Sequence, residues 1–348
     1  MKKRVTIQDI ADALGISRNT VSKAINNSEG LAEATRERIL QKAVEMGYKQ
    51  FSYLETLSKI TGSEAPQEKP GVYIGEIALF STMFLTQSHF SAMVLDRLQR
   101  ETGELGYIIN IHRVTKDNLK NLTLPVTFRP EHTSAILCVE MFDYAYDEMI
   151  CDLGYPVLFM DGPAKIGGRN LAADQLYMAN TTEIVHLVHD LLAHGKTRIG
   201  FIGDYNHCQS FYERYIAFRS AMLMAGYEVE DRFIVPDNDL SALQVSLSHL
   251  EELPDVFICA NDFVALDAMQ ILSSMGKRVP DDVWFTGFDD SLESRHSLPP
   301  LTTVRIHTQV MAFSAAHLLL SRIREPSLDY RTVYTECHLV YRDSTPME

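Results

Sequence analysis

The stretch TIQDIADALGISRNTVSKAIN, residues 6–26, reads as two short helices meeting at a tight turn. Ile7, Ile10, Ala11 and Leu14 recur at i, i+3, i+4 and i+7, the spacing that sets one face of a helix against a core. Gly15 breaks the run, Ser17 offers a capping hydroxyl, and Val21, Ala24 and Ile25 give the second helix its own apolar stripe. Arg18, Asn19, Ser22 and Lys23 are left on the outward face. Arg and Asn carry forked donors and acceptors that match guanine and adenine edges, so this face is expected to read base pairs in a major groove. The competing reading is a small helical hairpin with solvated polar residues. The coincidence of helix, glycine turn, capped helix and outward Arg-Asn pair speaks against it.

Composition fits a DNA reader whose bulk does something else. The chain has 348 residues, room for two or three cores at about 100 to 200 residues each. Residues 1–60 carry ten Lys/Arg against seven Asp/Glu, a net of +3; the whole chain stands at −14, so the remainder carries −17. No apolar run approaches the roughly 20 residues of a membrane span, and MKKRVTIQDI lacks the apolar core of a signal peptide, so a cytoplasmic location away from membranes is expected. The five cysteines, Cys138, Cys151, Cys208, Cys259 and Cys337, are odd in number and mostly set in apolar segments, as buried thiols would be.

Beyond residue 26, Ile39, Leu40, Ala43, Val44 and Met46 supply a third helix, ended by Gly47. ITGSEAPQEKPG, residues 60–71, is a polar linker and the main domain boundary. From Val72 the pattern changes. VYIGEIALF, YIINIH, SAILCVEM, PVLFMD, RIGFIGD, DVFICAND and VWFTGFDD read as buried parallel strands. Gly106, Gly154, Gly195, Gly226 and Gly276 each follow a helical run and precede a strand, which means a doubly wound α/β architecture.

In such sheets ligands gather beyond the carboxyl ends of the strands. Asp161, Asp204, Asn261, Asp262, Asp289 and Asp290 fall there, where they can accept hydroxyls or cap the next helix; capping suits Asp204, Asp262 and Asp290 better. Arg214 shares the apolar side of its helix with Phe218 and Ala221 and sits in the first turns, where the helix dipole disfavours a cation unless something oxygen-rich answers it.

These motifs resemble the LacI/GalR family of bacterial repressors. The head matches its TI-x-DIA, glycine turn and S-x-x-TVS ending in Asn, and the likeness runs on through TRERILQKAVEMGY at 35–48. It resumes in FMDG at 159–162, RIGFIGD at 198–204, ANDFVALDAMQIL at 260–272, GFDD at 287–290, PPLTTVR at 299–305 and LVYRDST at 339–345. The resemblance implies a small all-α helix-turn-helix head at 1–49, a hinge helix and linker at 50–71, and an effector-binding, dimerising core at 72–346. That core would be two-lobed like a periplasmic binding protein, lobe 1 taking about 72–173 and 303–326 and lobe 2 about 174–302 and 327–346.

It further implies a homodimer on a pseudo-palindromic operator, with Thr6, Ser17, Arg18, Asn19, Thr20, Ser22, Lys23 and Asn26 at the DNA, Tyr48 on a phosphate and Leu57 wedged into the minor groove. Gln50, Leu54 and Glu55 depart from the usual hinge pattern. A small effector, a sugar or sugar derivative, would lie between the lobes on Arg214, Asn261, Asp289 and Asp161. Leu240 stands where the family stacks an aromatic ring on the sugar, and Phe90 falls on an aromatic that is either cleft wall or core. The function implied is a transcriptional repressor of carbohydrate-utilisation genes.

Two other classes fit less well. An enzyme could use the Asp289-Asp290 pair, but the chain has no G-x-S-x-G, no Walker lysine pattern and no full G-x-G-x-x-G after a strand. His186, His189 and His194 at i, i+3 and i+8 do not converge on a metal, and no metal or cofactor is expected. A sugar-transport protein would need export, and the DNA-reading head argues against it.

Overall fold

The computed structural model describes residues 6–25, single positions between 31 and 46, and 73–347 apart from 83–88 and 166–169. In the head, α1 (Ile7–Leu14) begins with a capping box: Asp9 donates its N–H to the Thr6 hydroxyl, and the Asp9 carboxylate accepts the Thr6 N–H at 2.8 Å. Gly15, at φ 66°, ends it in the left-handed conformation that glycine adopts most easily, turning the chain into α2 (Arg18–Ile25). Ser17 accepts the Thr20 N–H at 3.0 Å, as expected of a cap. Ile10, Ala11, Val21 and Ala24 close with Ile39 and Ala43 into a core with no exposure. Ile7 and Leu14 pack on its edge.

The body holds two parallel sheets. The larger contains β1 (Gly75–Ser81), β2 (Tyr107–Arg113), β3 (Thr133–Val139), β4 (Val157–Met160), β5 (Asp174–Met178) and β11 (Thr332–Thr335) in the order β11-β5-β4-β3-β1-β2. The smaller contains β6 (Ile199–Ile202), β7 (Ile234–Val235), β8 (Val256–Cys259) and β9 (Trp284–Thr286) in the order β7-β6-β8-β9. An antiparallel pair, β10 (Thr303–Ile306) with β12 (Cys337–Val340), continues the smaller sheet through parallel bridges from Thr302 to Thr286 and from Arg305 to Asp289. Helices flank both sheets: α3 (His89–Gly103), α4 (Lys116–Asn121) and α5 (Tyr144–Cys151) lie between larger-sheet strands, and α6 (Thr182–Ala193), α7 (Gln209–Met224), α8 (Leu240–Ser248), α9 (Asp262–Ser274) and α10 (Leu292–His296) follow. Finally α11 (Thr308–Arg324) packs back on α3 and the larger sheet. Every strand read from the sequence is present, but β2, at the edge of its sheet, leaves Ile108 and Ile111 exposed rather than buried; the five helix-ending glycines all adopt positive φ.

The chain passes between sheets three times: at 179–181, at His307 and at Glu336. These places differ from the expected lobe limits. β5 and β11, expected in lobe 2, are hydrogen-bonded into the first sheet, and β10, expected in lobe 1, joins the second. A buried charge cluster holds β5 and β11 in the first sheet. Asp174, at the start of β5, has no exposure and accepts Arg322 of α11 at 2.8 and 3.1 Å and Arg331, just before β11, at 2.7 Å. Burial alone would push its carboxyl up, but the arginine hydrogen bonds outweigh this and hold it below the ordinary carboxylate value. One aspartate thereby binds β5, β11 and α11 into the same lobe. The cysteines are all free; Cys151 is half-buried and the other four are buried.

Candidate functional site

Arg18, Asn19 and Lys23 are exposed on α2, opposite the Val21–Ala24 stripe, while Ser22 and Thr20 are half-buried. Thr20 also shares a 2.7 Å hydroxyl contact with Ser17. Thr6 is exposed at the start of α1, where its side chain already serves as a cap. Asn26, Tyr48, Leu57 and the hinge lie outside the described residues. Phe90 falls in the first turn of α3, and its side chain is likewise outside them.

Between the sheets, the strand ends carry strained backbone. Among the described residues, five that are not glycine have positive φ, and four of them are strand-end acids: Glu140, Asp161, Asp289 and Asp290. Such conformations cost of order 1–3 kcal/mol each and persist where the surrounding fold imposes them, commonly at binding sites. Asp289, at φ 118°, is held by its N–H on the Val304 carbonyl at 2.8 Å.

Arg214 is the centre of this cleft. The apolar side of α7 draws it inward to 2% exposure, and its guanidinium lies 3.5 Å over the Phe288 ring centroid. Nε donates to Asn180 Oδ1 at 2.9 Å, Nη1 donates to the Ala260 carbonyl at 2.6 Å, and Nη2 stands 4.0 Å from Asp289 Oδ1. Asp289 keeps 26% side-chain exposure, so its carboxylate has one side on Arg214 and one side open. Burial pushes its carboxyl well above the ordinary range; Arg214 opposes the shift, and Asp262, Glu140 and Asp161 add to it.

Asp161 reaches across the lobes. It lies beyond β4 in the larger sheet, yet its Oδ1 accepts the Ser210 N–H, at the start of α7, at 3.4 Å. The adjacent Gly162 carbonyl accepts the Gln209 N–H at 3.0 Å. Cys208, the residue preceding α7, caps nothing with its own side chain, so acceptors from the opposite lobe answer the helix's first amides. Burial raises Asp161 to about 6 against the pull of Arg214 and the Ser210 hydrogen bond.

Asn261 caps α9, its Oδ1 accepting the Val264 N–H at 2.9 Å. The cap is therefore Asn261 rather than Asp262, whose buried carboxylate accepts the Thr303 hydroxyl at 2.5 Å and the Ser291 N–H at 2.7 Å. Asp290 is no cap either. It is clasped by Arg305 at 2.5 Å, by Arg295 at 2.9 Å and by Arg342, so it forms no catalytic pair with Asp289. Leu240 is exposed as the first residue of α8, behind its cap Asp239. Sequence reasoning missed Asn180, which is buried and also donates to Glu213 Oε2 at 2.8 Å. It missed Phe288 and Ser210 as well. Asn180 follows β5, a strand whose leading aspartate disguises it; Phe288 is visible only as the aromatic letter before Asp289.

An exposed Arg-Asn helix on a small helical head, joined to two parallel sheets with polar side chains gathered between them, is the arrangement of a DNA-binding regulator. Residues 6–50 match the family described as bacterial regulatory proteins, lacI family, and residues 188–345 match a periplasmic binding protein-like domain. The chain thus carries a lacI-type head followed by a periplasmic binding protein-like domain. It is 26% identical to the HTH-type transcriptional regulator CelR of Thermobifida fusca, over 99% of each chain, and 26% identical to the regulator GalR of Lacticaseibacillus casei, over 98% of this chain and 99% of that one. It is 24% identical to the repressor PurR of Mannheimia succiniciproducens, over 97% and 98%. Its fold is that of a CelR–cellobiose complex, with TM-score 0.68, 24% identity and coverage of 98% and 100%. It is also that of a lac repressor dimer bound to operator and the anti-inducer ONPF, with TM-score 0.62, 18% identity and coverage of 98% and 99%. These relatives are transcriptional regulators, and this chain is a DNA-binding transcriptional regulator. Among the described residues no helix is long and apolar enough to cross a membrane.

Proposed function

We propose that this protein is a cytoplasmic homodimeric repressor of carbohydrate-utilisation genes, whose hold on a pseudo-palindromic operator is set by a small sugar-like molecule between its lobes. The observation that carries the reading is Arg214, a cation buried at the junction of both lobes beside a partly open carboxylate. On this reading Arg214, Asp289, Asn261 and Asp161 contact the effector, while Leu240 and Phe90 line its approach. Asp161 has a double role. A ligand that competes for its carboxylate also changes the contact it makes with the start of α7, which converts occupancy into lobe movement. The coupling is reciprocal: effector changes operator affinity by the factor that operator changes effector affinity.

At the DNA, Arg18 and Asn19 read bases with Thr6, Ser17, Thr20, Ser22, Lys23 and Asn26 around them, Tyr48 binds phosphate, and Leu57 enters the minor groove. Two copies related by a two-fold axis make a short helix sufficient for specificity. Selection of bound sequences from a random duplex library, repeated with a panel of sugars, tests this. A palindromic site whose affinity one sugar changes is expected; no preferred site under any condition overturns it. Within that assay Arg18→Ala or Asn19→Ala costs about 1–3 kcal/mol and relaxes base choice. Uniform weakening on all sequences would remove Arg18 and Asn19 from the base-reading face.

A further inference from the structure

We propose that the cleft takes a polyhydroxylated ligand bearing no anionic group, and excludes phosphorylated and carboxylated sugars. This rests on the sugar-type reading of the cleft and adds a charge requirement to it. Anions in such clefts are held by cations and by helix N-termini. Here Arg214 and the starts of α7 and α9 are already answered from within the protein. Arg214 spends Nε on Asn180 and Nη1 on the Ala260 carbonyl, and turns Nη2 toward Asp289. The start of α7 donates to the Asp161 carboxylate and the Gly162 carbonyl, and the start of α9 is capped by Asn261.

The surroundings add negative charge. Glu140 and Asp161 stand close enough to Asp289 to disfavour its ionisation, and Glu213, next to Arg214, is held by Asn180, Gln209 and Tyr334, all neutral donors. Lys165 turns its ammonium over the Tyr177 ring, 5.7 Å from the centroid, with Glu213 as its nearby charge. Besides Lys165, the cation in the segment beyond β4 is Arg169, outside the described residues. An entering phosphate or carboxylate would have to displace a protein acid and face the others, whereas hydroxyls can donate to those same acids.

Calorimetric titration of the full chain with matched sets tests this: glucose, glucosamine, glucuronate and glucose 6-phosphate; galactose, galactosamine and galacturonate; cellobiose and cellobionate. Any binding parent sugar is expected to exceed its anionic counterpart at least ten-fold, with the amine retained. Asp161→Asn and Asp289→Asn are expected to narrow that gap by removing a negative charge that an anionic ligand must face. An anionic member that binds as tightly as its parent overturns the proposal, and loss of that binding in Arg169→Ala would identify the cation responsible. A chain that binds its operator specifically but none of these sugars overturns the sugar-type reading itself, and the charge requirement falls with it.

Discussion

Asp174 and Asp290, at the seams of the lobes, are outnumbered by arginines; Asp161 and Asp289, in the cleft, share one. Two arginines clasp Asp174 and three clasp Asp290, and both carboxyls stay ionised below their ordinary range despite burial. In the cleft burial wins instead, and both carboxyls are pushed up. The contrast separates two uses of a buried acid. A saturated one fixes geometry, and an under-compensated one is left with unmet demand that a ligand can satisfy.

The largest expected effect tests the saturated kind. Asp174→Ala leaves Arg322 buried without its counter-ion and should cost about 3–5 kcal/mol in urea unfolding. Because the folded carboxyl lies below its unfolded value, its contribution is present above about pH 4 and lost as pH falls through the folded value. The variant should therefore lack that acid-side loss, and an unchanged stability would break the distinction.

Asp147 is a third kind, with no exposure and neither oxygen hydrogen-bonded among the described residues. Burial raises it to about 8, with Asp143 adding to the shift. The sign is reversed here: stability is fully present below about pH 4 and lost as pH rises through 8. Asp147→Asn, neutral throughout, should gain about 3 kcal/mol on the wild type between pH 5 and 9, read by thermal unfolding at each pH. Parallel profiles would mean that the carboxyl finds relief on ionising.

Arg214→Ala should weaken effector binding by about 1.5–3 kcal/mol, the worth of a charged hydrogen-bonding group, while operator affinity without effector stays intact. A mutant with a normal response would put Arg214 among the structural arginines. Smallest of all, Arg278→Ala breaks an exposed pair with Asp281 at 3.0 Å and should move stability by less than about 1 kcal/mol.

Much of this was legible in the sequence because it is local. Helix periodicity, capping residues and glycine stops specify the head and the strand-helix alternation within a few residues. Arg214 was legible for the same reason, through its spacing to Phe218. The lobe limits were not, since Asp174 is matched with Arg322 and Arg331 about 150 residues away. Nor was the difference between Asp289 and Asp290, adjacent and chemically identical letters. Arg295, Arg305 and Arg342 decide that difference, two of them from other strands or segments.

The three passages between sheets have a consequence for cutting the chain. One sheet draws on 75–178 and 308–335, the other on 182–306 and 337–340, so each is interrupted by residues of its neighbour. No contiguous fragment contains one lobe alone: a piece stopped after 306 lacks α11 and β11, and a piece begun at 182 carries those two without the sheet they complete. The ligand-sensing half must be inherited, expressed and melted as one unit.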